Sequence, residues 1–127
     1  MTDIPFGREA LPKIFQVLAV VLPALIGGQV FLAGLAIFSD GSLWDMHGAA
    51  GGMLALPIFA MVGLAFMWPA LSRYRVSVLM LLGFYCLQLV FVIAGERIGF
   101  VQALHPANAI AMTVVSVLLA RSAWSGK

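Results

Sequence analysis

His47 and His105 are the only histidines in the chain, and each opens an apolar run: "MHGAAGG" at residues 46–52 and "LHPANA" at residues 104–109. A neutral imidazole is a metal ligand and, near neutral pH, a proton carrier. Two of them on facing helices suit the two axial positions of a low-spin haem iron of the electron-transfer type. A residue four positions after a helical ligand shares its face. Here those positions hold Gly51 and Ala109, small enough to leave space for a flat ring. A ligating histidine donates its second ring N–H to a carbonyl, carboxylate or amide, which sets its tautomer. The candidates are Asn108, Gln29, Gln88 and a loop carbonyl. Haem propionates would meet Arg97, Gln102 and Trp44, with Arg97 first because it is the only cation outside the termini and the second loop. Met46, Met53 and Met112 are alternative sixth ligands, but two histidines make the simpler pair, and methionine is usual core filling.

Such ligands need helices to hold them, and the composition supplies these. Apolar residues make up 63 % of the 127 residues and charged ones 9 %, with a mean hydropathy of +1.08; soluble domains carry about 25 % charged residues. Uncharged runs cover Ile14–Phe38, Met46–Leu71, Val76–Gly95 and Ile98–Ala120, each near the roughly 20 residues that cross a bilayer. The expectation is one all-α domain over 1–127, an integral membrane four-helix bundle running up-down-up-down, with spans at about 14–38, 46–71, 76–95 and 100–120. The first run is too long and too acid-flanked (Asp3, Glu9) for a signal peptide. The lone Cys86 can form no internal disulfide and reads as a small core residue.

Six of the seven basic residues, Arg8, Lys13, Arg73, Arg75, Arg121 and Lys127, fall in the two tails or the second loop. This positive-inside pattern predicts cytoplasmic N and C termini. It also accounts for the basic pI without nucleic acid. His47 and His105 then lie at similar depth near the outer face of a bacterial cytoplasmic (inner) membrane. The two halves form a weak repeat: Gln29 precedes His47 by eighteen residues and Gln88 precedes His105 by seventeen, as in a parallel duplication about the membrane normal. The remaining polar residues have plainer roles. Gln29 and Gln88 can be interhelical hydrogen bonds, Thr113 and Ser116 can bond their own helix, Asp45 can cap the second helix and Pro106 can start the fourth. Gly27, Gly28, Gly34 and Gly52 could admit neighbouring backbones, and Pro23 and Pro57 are expected to kink their helices.

The stretches "DMHGAAGG" and "LHPANA", each opening a helix at the outer surface, resemble one four-helix half of the haem A synthase family and are similar to other small four-helix haem-binding membrane proteins. The resemblance implies haem ligation by His47 and His105. It also implies an oxidative role for an acidic residue just before the second helix, here Asp45, where the family has glutamate. The second half of that family is missing, so a full synthase would need a homodimer.

Three functions follow as expectations. The first is a b-type cytochrome passing electrons to a quinone or redox protein, an electron carrier rather than an enzyme in its own right. The second is a haem-modifying or haem-carrying protein, and the third a cofactor-free scaffold or accessory subunit of a membrane complex. Ion-coupled transport is disfavoured because the spans carry no Asp, Glu, Lys or Arg.

Overall fold

The computed structural model describes residues 6–126, with side chains from residue 12 onward. Helix α1 (Phe6–Phe38) is followed by α2 (Leu43–Met53) and α3 (Ala55–Met67), a 3-10 helix (Pro69–Tyr74), α4 (Arg75–Gly95) and α5 (Gly99–Ser125). Four segments among the described residues are long and apolar enough to cross a membrane: Pro12–Phe38, Leu43–Met67, Pro69–Gly95 and Gly99–Ser125. Only 17–22 % of the most apolar window of each is buried within the protein. The rest of each helix faces outward and is apolar, a surface suited to lipid rather than water.

Proline and the residues around it place the breaks. Pro57 cannot donate to the Met53 carbonyl and its ring crowds that group. The second span therefore breaks one residue later, at Leu54, whose N–H bonds the Gly51 carbonyl at 3.3 Å while Ile58 N bonds the Leu54 carbonyl at 3.4 Å. Trp68 is extended (φ −113°, ψ 111°) because it precedes Pro69. So the second span ends at Met67 instead of Leu71, and its connection is the 3-10 helix Pro69–Tyr74 instead of a loop at 72–75.

The last helix also departs from expectation. It starts at Gly99, so Pro106 lies in its interior rather than in the first turn and His105 is two turns inside. The connection between α4 and α5 shrinks to residues 96–98. Gly95 makes this tight turn possible: a Cβ there would stand 2.6 Å from Gln102 Cβ and 2.8 Å from its Cα. Nothing comparable approaches Gly27, Gly28, Gly34 or Gly52, where a Cβ would meet no atom within 4 Å; these glycines do not mark close helix contacts.

Arg73 of the 3-10 helix and Arg75, the first residue of α4, cap neighbouring helices. Arg75 donates from Nε to the Ala65 carbonyl (3.0 Å) and from a terminal nitrogen to the Phe66 carbonyl (3.4 Å), at the C-terminus of α3. Arg73 donates to the Gly126 carbonyl (3.0 Å), just past α5, where Gly126 takes the left-handed φ of 66°. A cation suits the negative end of the helix dipole. Gln16 reaches the Ala123 carbonyl (2.9 Å) and Tyr74 the Ser122 carbonyl (3.3 Å), which gathers the start of α1, the 3-10 turn and the end of α5 at one end of the bundle.

Packing is uneven along the bundle axis. Phe15, Leu22, Ile58, Met61 and Leu81 are fully buried, and Phe15 stacks on Tyr74 with centroids 5.0 Å apart. By contrast α2 buries no residue at all. Its backbone packs on α1 and stays apart from the backbones of α4 and α5, which lie against each other along their length. A space therefore remains between α2 and the α4–α5 pair at the end away from the chain termini. Cys86 is exposed on the outer surface of α4, not in the core as its type suggested. Thr113 and Ser116 bond their own helix as expected, to the Ala109 (2.7 Å) and Thr113 (2.8 Å) carbonyls.

Candidate functional site

That space is a cavity of about 730 Å³ lined by Trp44, His47, Gly51, Tyr85, Gln88, Gln102, His105, Ala109 and Met112, with apolar residues such as Ile26, Leu54 and Val92 between them. Both histidines face it, from α2 and α5. Their ring centroids lie 6.2 Å apart with 64° between the planes. The folding of residues 46–52 and 104–109 into two helices at one end thus brings together side chains separated by 58 positions in the sequence.

Each ring is tethered in the same way. His47 Nδ1 lies 3.1 Å from the backbone carbonyl of Gln29, and His105 Nδ1 lies 3.2 Å from that of Gln88. A carbonyl oxygen only accepts, so Nδ1 is the donating nitrogen in both, and in the neutral imidazole Nε2 carries the lone pair. The eighteen- and seventeen-residue spacings therefore correspond to one repeated contact, from a histidine to a carbonyl in the preceding long helix. Both carbonyls have a second lone pair and can serve the helix ladder as well.

The two glutamine side chains differ. The hydrogen-bond network orients the Gln29 amide with its nitrogen donating to the His47 carbonyl (2.9 Å) and its oxygen accepting from Gly51 N–H (3.0 Å). The same amide nitrogen lies 3.2 Å from His47 Nδ1; with the proton on Nδ1, its donor goes to the carbonyl instead. A Cβ at Gly51 would meet the terminal amide of Gln29 at 3.3 Å. Part of the room that glycine leaves is thus taken by Gln29, and Gly51 also lines the cavity. Gln88 turns its amide nitrogen to His105 Nε2 at 3.3 Å. Asn108, buried, donates to the Phe84 carbonyl (2.8 Å) and to Gln88 Oε1. It steadies His105 through Gln88 and makes no hydrogen bond to the ring.

Other expected residues fall around the cavity with mixed results. Ala109 lines it beside His105, and Trp44 packs edge-on against His47 with centroids 5.4 Å apart. Gln102 lines it too, whereas Arg97 is exposed in the turn between α4 and α5 and does not. Asp45 is exposed in the first turn of α2 and caps nothing; Ser42 is the N-cap residue, and its N–H is bonded by Asp40 Oδ1 at 2.9 Å. That bond holds the Asp40 carboxyl below the usual carboxylate range. Among the described residues no group of three or more His, Cys, Asp or Glu could hold a metal ion by itself. Met112 lines the cavity; Met46 and Met53 do not.

Tyr85 is the site residue that sequence reasoning missed. Its buried hydroxyl lies 3.2 Å from both the Gly51 and the Gly52 carbonyl, at the break that Pro57 causes, and its ring lines the cavity. A tyrosine inside an apolar span needs a partner for its hydroxyl, and that signal was present in the sequence, but the partner lies on another helix.

No curated protein and no solved structure matches the chain. Residues 29–95 match a family profile, Family of unknown function (DUF6220). The matched segment begins at Gln29 and ends with α4, so it contains His47, Gly51, Tyr85 and Gln88 and stops short of His105. With more than half of its length matched, the chain belongs to the Family of unknown function (DUF6220).

Proposed function

We propose that this protein is a membrane b-type haem protein in which His47 and His105 would hold the iron, and that its activity is electron transfer. The observation that carries the reading is the histidine pair: two rings tethered alike at Nδ1, with centroids 6.2 Å apart. Rings this close could both ligate one iron held between them. The cavity volume of about 730 Å³ falls in the range of roughly 300–1,000 Å³ common for cofactor sites. The resemblance of "DMHGAAGG" and "LHPANA" to half of a haem A synthase supports the same ligands.

Haem, when bound, supplies a one-electron iron couple. The chain's own contribution is orientation and exclusion of water. The Gln29 and Gln88 carbonyls keep Nδ1 protonated and leave Nε2 to ligate. Trp44 limits rotation of the His47 ring, and the largely apolar lining maintains a low dielectric around the site. The positive-inside pattern assigns the end bearing Lys13, Arg73, Arg75 and Arg121 to the cytoplasm. Both termini are then cytoplasmic and the site lies near the outer face of a bacterial cytoplasmic membrane, within reach of a quinone or a redox protein. The absorption spectrum of detergent-purified protein supplied with haemin tests the reading. A sharp Soret band with resolved low-spin bands on reduction is expected; a sample that stays colourless overturns it and favours a scaffold or accessory subunit.

Haem carriage is a second reading, favoured by one observation. Ile37, Leu89 and Ile93 line the cavity and are also exposed on the outer surface, so the cavity opens sideways toward lipid. Transfer of haem to an apo-acceptor protein within minutes supports carriage, and retention over hours supports the electron carrier. A haem-modifying role through Asp45 receives no comparable support, since Asp45 lies outside the cavity lining.

A further inference from the structure

Gln88 touches both ring nitrogens of His105. Its backbone carbonyl lies 3.2 Å from Nδ1 and its amide nitrogen 3.3 Å from Nε2. With the proton on Nδ1, Nε2 carries a lone pair, and the amide N–H donates to it. The amide is in turn held by Asn108, which donates to Gln88 Oε1 and to the Phe84 carbonyl. A run of hydrogen bonds thus leads from the α4 backbone through a buried asparagine to the one nitrogen of His105 that could bind a metal.

His47 lacks such a cap. The Gln29 amide spends its hydrogen bonds on the His47 carbonyl and the Gly51 N–H, and no described residue bonds His47 Nε2. The two halves share the tether at Nδ1 and differ at Nε2.

We propose that Gln88 is a displaceable cap on His105 Nε2, which makes the two histidines unequal: His47 offers a free nitrogen, whereas His105 must first shed an amide. For ligation, this inference rests on the haem reading and makes His47 the permanent ligand and His105 the exchangeable one. Gln88 acts through His105 and is a positioning residue. The consequence is that the His105 side of the site opens to small external ligands such as carbon monoxide, while the His47 side does not.

Two measurements test the proposal separately. In haem-free protein, nitrogen-15 NMR of the only two histidines reads the cap directly. His105 is expected to show a protonated Nδ1 and a hydrogen-bonded Nε2. Gln88→Met, which keeps the chain length and removes the donor, shifts His105 Nε2 to the position of an unbonded imidazole and leaves His47 in place. Identical His105 signals in both proteins overturn the cap.

In reduced, haem-loaded protein, carbon monoxide displaces the weaker histidine. Without the competing amide His105 stays bound longer, so displacement slows about fivefold in Gln88→Met, the factor expected for one hydrogen bond. Equal or faster displacement overturns the exchangeable ligand. Asn108→Ala loosens the amide without touching His105, is expected to slow displacement by a smaller factor, and serves where Gln88→Met does not fold. A protein that takes up no haem removes the haem reading alone, and the nitrogen-15 signals still decide whether the cap exists.

Discussion

Single side chains at the cavity have separable effects. On the proposed function, His47→Ala and His105→Ala each abolish the low-spin spectrum of the haem-loaded protein, and the double variant takes up no haem; absorption spectra of the three proteins check this. Gly95 has a purely structural role. A methyl group at this position runs into the Gln102 backbone, 2.8 Å from its Cα, and backbone yields less readily than a side chain. Gly95→Ala is therefore expected to lower stability by about 1–3 kcal/mol, in the range of overpacked sites, measured as a drop in the midpoint of thermal unfolding in detergent.

The helices depend on a few polar contacts at their breaks and ends. Tyr85 satisfies carbonyls loosened at the α2–α3 break. In an apolar span no water replaces it, so Tyr85→Phe is expected to cost about 1 kcal/mol, seen as faster amide exchange at residues 51–58 with little change elsewhere. The loop between α1 and α2 depends on pH through Asp40. Its carboxyl is held below the usual range by the Ser42 N–H, so the ionised form is the one favoured by folding. Its contribution is complete above the ordinary carboxylate pKa and is lost as pH falls through the lowered value. Protection of the Ser42 amide should fall with acid in wild type and be insensitive to pH in Asp40→Asn.

The whole bundle is divided into a packed end and a hollow one. The buried core lies around Phe15, Leu22, Ile58, Met61 and Leu81, and α2 buries nothing. Opening free energy follows local packing, so amides of α2 are expected to exchange faster than those of α3 in ligand-free protein. A ligand that binds only the folded protein stabilises it by an amount that grows with the logarithm of its concentration over Kd, about 2.7 kcal/mol at a hundred times its Kd. Haem loading is then expected to protect α2 selectively, and uniform protection along all four spans would argue against binding in the cavity.

Much of this was legible in the chain itself. Four uncharged runs of about 20 residues dictate four helices because lipid leaves backbone polar groups no other partners, and Lys13, Arg73, Arg75 and Arg121 stand at span ends that the structure brings together, with Arg97 at the other end. The two histidines and their glutamines stood out because polar groups are costly in such runs. What the sequence could not convey was how the helices end and meet. Pro106 was compatible with a helix start, but the close approach of Gly95 to Gln102 lets α5 begin at Gly99 and carries Pro106 inside. Asn108 looked like a partner for the His105 ring, yet it reaches the Gln88 side chain instead. The hydroxyl partners of Tyr85 are carbonyls on α2, thirty-three and thirty-four positions away. Residue type and period determined the elements and the polar candidates; only the packing of α2 apart from α4 and α5 decided that a cavity separates them, because a void belongs to the spaces between helices and to no residue's own preference.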